Sequence, residues 1–305
     1  MMALLRRALA IPFIMLGISF AVFFAIHALP GDPARLLAGP QAPEAVVQGL
    51  RHRLGLDIPF SAQYLHFLHQ ALQGDFGLSL RDGSHVTTLI AQRLPYSLAL
   101  GGIAYLLALA VGIPGGIVAA VRAGQWPDTV LMAATLIGAS LAGFWVALIG
   151  MELFAVRLHW LPLMGAGDWK HYVLPVFVLA LTPSALILRM TRTGMCDILR
   201  QDYIRTAAAK GLSPWRILGV HALPNALAPV VTVVALNLGG LVSSAVVTET
   251  VFDWPGVARL LVDSVRYRDY PVVQGITLFA VLGVLVATLI ADAVNLLLDP
   301  RQRTS

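Results

Sequence analysis

Charge is the scarcest commodity in this sequence. Of its 305 residues only 12% are Asp, Glu, Lys or Arg, where soluble domains carry about 25%. That shortage excludes a water-soluble globular enzyme. A hydrophobic share of 58% excludes a disordered chain as well. Cysteine is almost missing: Cys196 stands alone, so no intramolecular disulfide forms and a disulfide-framed secreted domain is excluded. No Gly-x-x-x-x-Gly-Lys-Ser/Thr segment is present, so the chain has no P-loop with which to hold ATP. There is no His-Glu-x-x-His pair either, and His27, His159 and His171 lack ligand-like spacing on one helix. Interfacial histidines explain them better than a metal site. The ten-residue alternation of a membrane barrel is absent too, replaced by solid apolar runs.

What is abundant is uninterrupted apolar length. Six stretches hold no charged residue: Leu9–Leu29, Ser97–Val121, Thr129–Met151, Val173–Leu188, Val230–Thr248 and Val272–Ala291. Their lengths are 21, 25, 23, 16, 19 and 20 residues, and about 20 apolar residues cross a hydrocarbon core. An all-α integral membrane protein with six transmembrane helices is therefore predicted. The fourth stretch is short and contains Thr182-Pro183-Ser184. Two readings stay open there: a helix broken at Pro183 that lines a transport path, and a kinked packing helix whose end snorkels through Arg189. In the second stretch Gly112-Ile113-Pro114-Gly115-Gly116 predicts a kink and a face for close helix packing. Arg6 and Arg7 precede the first stretch as they would in a signal peptide. Its 21 residues exceed the roughly 7–15 of a cleavable core, and Ile26-His27-Ala28 lacks a proper cleavage site, so an uncleaved anchor is expected.

A net charge of +5 and a pI near 9.7 suggest nucleic acid at first sight, but membrane topology accounts for them. Six spans put both termini on one side. That side holds 11 basic residues, among them Arg122, Arg192 and Arg216, against five in the two short loops opposite. The positive-inside rule then places both termini of this multi-pass protein in the cytoplasm. The expected organisation is residues 1–29 as an N-terminal segment and first span, 30–94 as an extracytoplasmic loop, 95–298 as a five-helix core, and 299–305 as a tail. Within the loop, Tyr64, Leu65, Phe67, Leu68 and Leu72 have helical spacing, which fits a helix lying on the bilayer. Asp253-Trp254-Pro255-Gly256 and Arg268-Asp269-Tyr270-Pro271 read as outer turns.

Within the cytoplasmic coupling segment 192–224, the stretch from Asp197 to Pro224 reads as two short helices with a defined break. Asp197 and Asp202 lie toward the N-terminus of the first and Lys210 ends it, in keeping with the helix dipole. Gly211 stands where a left-handed residue closes a helix; Ser213 can cap the next, Pro214 opens it, and Pro224 ends it. Ala207, Ala208 and Ala209 let another surface come close. Such a restarting helical loop suggests a docking element for a soluble partner, against the plainer reading of a solvated loop made basic by topology. Among polar residues in or near the spans, Glu152 is a turn from Arg157 and fits a structural role, and Asp292 and Asn295 suit interhelical hydrogen bonds. Asn237 suits packing or cavity lining equally. Glu249, flanked by Thr248 and Thr250, closes the fifth stretch outside. Asn237, Glu249, Thr182 and Ser184 are the candidates for lining a pathway. Gly138-Ala139-Ser140-Leu141 matches a serine-nucleophile pattern, but the fourth to sixth stretches contain no histidine to act as its base.

Asp202-Tyr203-Ile204-Arg205-Thr206-Ala207-Ala208-Ala209-Lys210-Gly211-Leu212, followed by His221-Ala222-Leu223-Pro224-Asn225-Ala226, resembles the signature loop of binding-protein-dependent ABC importer permeases. Within that family it looks like the dipeptide/oligopeptide/nickel branch. Pro30-Gly31-Asp32-Pro33-Ala34, Leu54-Gly55-Leu56-Asp57, Gly74-Asp75-Phe76-Gly77 and Val251-Phe252-Asp253-Trp254-Pro255-Gly256 extend the match over nearly the whole chain. Two departures stand out: Arg205-Thr206-Ala207 occupies the place of the general Glu-Ala-Ala, and Ala258 replaces a glycine. The resemblance implies an importer-permease (MetI-like) bundle and a transport subunit that is no enzyme, with no catalytic residue, metal site or bound cofactor. It also implies a second homologous permease subunit, two cytoplasmic ATPase subunits holding ATP and Mg, an extracytoplasmic solute-binding protein, surrounding membrane lipid and no nucleic acid. ATPase coupling would fall to Asp202, Tyr203, Arg205, Thr206, Ala207, Ala208, Ala209, Lys210, Gly211 and Pro224. Dipeptides or oligopeptides are the expected cargo, moved by alternating access, with nickel or a metal chelate as the alternative and glutathione or haem also within the branch. The rival class is an ion-coupled transporter using Glu152 or Asp292 as proton carrier.

Overall fold

The computed structural model of the protein describes residues 2–28, 33–39, 41–53, 55, 57–227, 230–231, 234 and 241–298. Among these residues the chain is helical and forms no strand beyond an isolated bridge between Leu78 and His85. In order the helices are α1 (Met2–Ala28), α2 (Pro33–Ala38), α3 (Glu44–Arg53), α4 (Phe60–Leu72), α5 (Val86–Val121), α6 (Trp126–Ser140) and α7 (Gly143–Gly150). A π-helical stretch, Met151–Arg157, continues α7. There follow α8 (Lys170–Leu199), α9 (Asp202–Ala209), α10 (Pro214–Arg216) with a π-helical continuation Ile217–Ala222, α11 (Leu241–Val251), α12 (Val257–Arg266) and α13 (Tyr270–Leu298).

Among the described residues three helices are long and apolar enough to cross a membrane: Val86–Val121, Lys170–Leu199 and Tyr270–Ile290. They contain the second and fourth charge-free stretches and all but the last residue of the sixth. The third stretch is not one straight span. It is divided between α6 and α7, which are bent by 96° at Leu141 and Ala142. The apolar part of α1 is the shorter helix Leu9–Ala25. Much of the fifth stretch, with Asn237, lies outside the described residues; α11 closes it. A count of six spans is consistent with this arrangement.

The fourth stretch is intact. Pro175 and Pro183 both lie inside the 30-residue α8, which at 1.5 Å per residue is about 45 Å long. The charge-free run understated the helix because Arg189 and Arg192 continue it past the apolar stretch. A proline in mid-helix removes one hydrogen bond, and here the surrounding packing holds the helix together. Gly112 and Gly116 of α5 meet α8 so closely that a methyl group at Gly116 would lie 2.5 Å from Thr191 Cβ, and one at Gly112 would lie 2.7 Å from Ile187 Cγ2. The small residues therefore serve close helix approach, as their spacing predicted.

The chain divides into two compact units. One is built mainly from Pro95–Arg259. Its core joins Leu100, Ala104 and Ala108 of α5 to Val176, Leu179, Ala180 and Ile187 of α8, with Val230 and Trp254. The other is built from Leu5–Leu94 with Leu260–Gly283. There Phe23 of α1 packs against Phe60, Tyr64 and Phe67 of α4 at ring separations of 5.2–5.5 Å, and Ser19 shares a 2.9 Å hydrogen bond with Tyr64. The helix expected on the bilayer surface is thus attached to α1 by an aromatic face, leaving Leu65 and Leu72 exposed. In the same unit the buried Asp269 accepts hydrogen bonds from Ser79 Oγ at 2.5 Å and the Leu80 N–H at 3.0 Å.

Candidate functional site

The segment after α8 is a seated helix pair with one open face. Ile204 and Ala207 of α9 are buried in a cluster with Ala120, Met195, Ile217, Ala222 and Ala226, and Ile198 and Leu199 of α8 pack against it. These two positions are three apart, one face of a helix. On the other side Asp202, Tyr203, Arg205, Thr206, Ala208, Ala209 and Lys210 are exposed. Lys210 caps α9, and Gly211 turns the chain with φ +78°, a backbone conformation that favours glycine. Pro214 then opens α10. Local bonds hold the open face in place: Thr206 Oγ1 donates to Asp202 O at 2.9 Å, and Asn225 Nδ2 donates to the Tyr203 hydroxyl at 3.2 Å and to His221 O at 3.0 Å. Arg205 and Asp202 approach to 3.6 Å, both solvated, so this ion pair contributes little.

Three expectations about this segment need correcting. Asp197 does not start the first short helix; it belongs to the last turn of α8, whose apolar residues Met195, Ile198 and Leu199 keep the long helix going. Ser213 occupies the cap position of α10 without a side-chain cap hydrogen bond. Pro224 does not end the helix, since residues 223–227 are helical. The π-helical turn Ile217–Ala222 immediately before it widens the backbone where the ring would otherwise clash with the preceding turn.

The sequence reading passed over Trp215, which is 84% exposed between Pro214 and Arg216. The signal available was a tryptophan between Pro214 and Arg216, at the start of the second short helix. Lys210 and Arg216 are exposed as well.

Among the described residues no hydrogen bond joins the pathway candidates to one another. Thr182 is exposed on α8, and Ser184 is half-buried, its carbonyl against Gly112 of α5. Asn237 lies outside the described residues. Glu249 is fully buried. Its carboxylate accepts from Ser97 Oγ at 2.6 Å and from the Arg259 N–H at 3.0 Å. Its own carbonyl accepts the Trp254 N–H at 2.8 Å, and Trp254 Nε1 donates to Tyr96 O at 3.1 Å. Ser97 Oγ also accepts the Val257 N–H at 2.8 Å. Glu249 therefore fastens the turn 253–259 to α5. Asp253, at φ +53° in that turn, pairs with the Arg259 guanidinium.

Long apolar helices joined by an exposed helix pair, itself seated on the end of one of them, fit an integral membrane protein with a face left open beside its helix ends. Comparison with known proteins gives the family. Residues 112–304 match the family of binding-protein-dependent transport system inner membrane components, and residues 1–101 match the N-terminal family of the same membrane components. The chain is 42% identical over 286 residues to the glutathione transport system permease protein GsiC of Escherichia coli strain K12, covering 94% of each chain. Its likeness to the protein of that name in Shigella dysenteriae serotype 1 is the same. Among solved structures, the inward-facing MetNI methionine ABC transporter matches with a TM-score of 0.57 at 19% identity, over 69% of this chain and 96% of the other, and so shares the fold. The chain belongs to the binding-protein-dependent transport system inner membrane component family. It is a permease subunit of an ABC importer, without enzymatic activity of its own.

Proposed function

We propose that the chain carries small peptides of the glutathione class across the cytoplasmic membrane by alternating access, as one of two homologous permease subunits. Two cytoplasmic ATPase subunits holding ATP and Mg drive it, and an extracytoplasmic binding protein delivers the cargo. The observation that carries this reading is the 42% identity, over 94% of the chain, to permeases named for glutathione, which is itself a tripeptide. Nickel has no comparable support: among the described residues no three His, Cys, Asp or Glu side chains group to hold a metal ion.

In this reading both termini and the segment 192–224 face the cytoplasm, and the loop 30–94 faces outward. Asp202, Tyr203, Arg205, Thr206, Ala208, Ala209, Lys210, Gly211 and Pro224, all exposed, meet an ATPase, while the buried Ala207 supports them from within the segment. The exposed face and the buried seat of Ile204 and Ala207 favour this assignment. Thr182 and Ser184 remain on the pathway side. Glu249 acts through the turn it holds and not by touching cargo.

The test is ATP-driven uptake in proteoliposomes containing the permease pair, the ATPases and the binding protein. Labelled glutathione should enter only with ATP, and excess small peptides should compete while nickel does not. Nickel uptake in place of glutathione uptake would overturn the cargo. Uptake that persists without ATPases and collapses with a protonophore would overturn the importer mechanism for this chain.

A further inference from the structure

A docked segment has to move something within the membrane, and one side-chain pair is placed to transmit that movement. Asp128, in the first turn of α6, takes the Arg192 guanidinium on both carboxylate oxygens: Nε donates to Oδ1 at 2.5 Å and Nη2 to Oδ2 at 2.7 Å. The Gly124 N–H donates to the same Oδ2 at 2.9 Å. Two-point pairing of this kind fixes orientation as well as distance. The Asp128 side chain is only 6% exposed and that of Arg192 29%, so water and salt weaken the pair less than they would at the surface.

The surroundings of Arg192 give the pair its direction of action. Just before it along α8, Ile187, Leu188 and Thr191 are in close contact with Gly112, Gly115 and Gly116 of α5. Just after it, Met195 enters the cluster that seats α9 through Ile204 and Ala207. The end of α8 is thus a stiff link between the docking face and Arg192. On the far side of the pair, α6 runs from Trp126 to Ser140 and stops at two extended residues, Leu141 (φ −75°, ψ 126°) and Ala142 (φ −65°, ψ 125°). There the chain turns by 96° into α7.

We infer that the Asp128–Arg192 pair is the relay that passes a displacement of the docking segment to α6, which swings about Leu141 and Ala142. The inference rests on the docking reading of residues 202–211. Hinges are a few residues outside regular structure that absorb a change in dihedral angles, and the two extended residues meet that description. A fork-shaped ion pair transmits both pull and rotation, whereas side-by-side packing of α6 and α8 alone permits sliding.

The experiment uses the full complex in proteoliposomes with glutathione-loaded binding protein, reading ATP hydrolysed and glutathione imported together. Wild-type uptake, measured first, checks the cargo separately. Asp128→Asn and Arg192→Lys should keep ATP hydrolysis within about twofold while glutathione imported per ATP falls about tenfold, the scale expected on loss of a charge-assisted pairing. An unchanged ratio overturns the relay. So does a parallel fall of both rates, the mark of a merely structural role. If Asp128→Asn does not assemble, Arg192→Lys, which keeps the charge but not the fork, decides the matter. Gly211→Pro, run alongside, separates the two ideas. If it leaves the ratio intact, the docking reading fails; if it alone lowers the ratio, docking stands and the relay falls.

Discussion

Glu249 shows how much of the chain's polar chemistry serves its architecture. The carboxylate lies among backbone and hydroxyl donors, with the nearby Arg259 guanidinium turned to Asp253. Glu249→Ala would strand Ser97 Oγ and the Arg259 N–H, each at about 1–3 kcal/mol when buried. We expect thermal unfolding of the detergent-solubilised subunit at a clearly lower midpoint than wild type, with Glu249→Gln losing less because its amide oxygen still accepts one bond. An unshifted midpoint for Glu249→Ala would count against the clamp. The residue's location at the end of a charge-free stretch was legible in the sequence. Its partners were not: Ser97 is 152 positions away, and no local pattern announces such a pairing.

At the scale of elements, what was legible is what local chemistry decides. Gly211 and Pro214 carry their conformations with them, and both stand where the sequence placed them, at the turn after α9 and the start of α10. Signals that depend on packing were misread. Asp197 looked like a helix start until Met195, Ile198 and Leu199 carried α8 through it, and Pro224 looked like a stop until the π-helical turn accommodated it. The break at Leu141–Ala142 has no proline, and its neighbours are as apolar as the rest of the stretch, so the third span read as continuous. Gly211→Pro follows from the same reasoning. Proline fixes φ near −65°, far from the +78° found here, and strain of about 3 kcal/mol corresponds to about two decades in an equilibrium constant. Uptake should fall between about tenfold and a hundredfold with the subunit still present in the membrane. Normal transport by this variant would argue that the turn plays no part in coupling.

For the molecule as a whole, composition alone indicated a multi-span membrane protein, and the order of motifs along the chain indicated the importer family to which it belongs. The sidedness proposed from the distribution of arginine and lysine is directly measurable. In a Cys196→Ser background, Leu72→Cys and Trp215→Cys each place a single thiol at a well-exposed position, Leu72 in α4 and Trp215 in α10. A membrane-impermeant maleimide added to intact spheroplasts should label the first and spare the second until the membrane is permeabilised. The opposite pattern would reverse the assigned topology and remove the docking face from the cytosol.

The bend between α6 and α7 has a consequence for what surrounds the subunit. Residues 139–145 are exposed in the isolated chain, near the middle of a charge-free stretch, and helix ends there leave peptide groups without partners inside either helix. Lipid tails offer such groups nothing to bond with. The bend must therefore be wetted by solvent entering from one face of the bilayer, or sealed by a neighbouring polypeptide. Either way, that face of the subunit has to meet water or protein and not acyl chains.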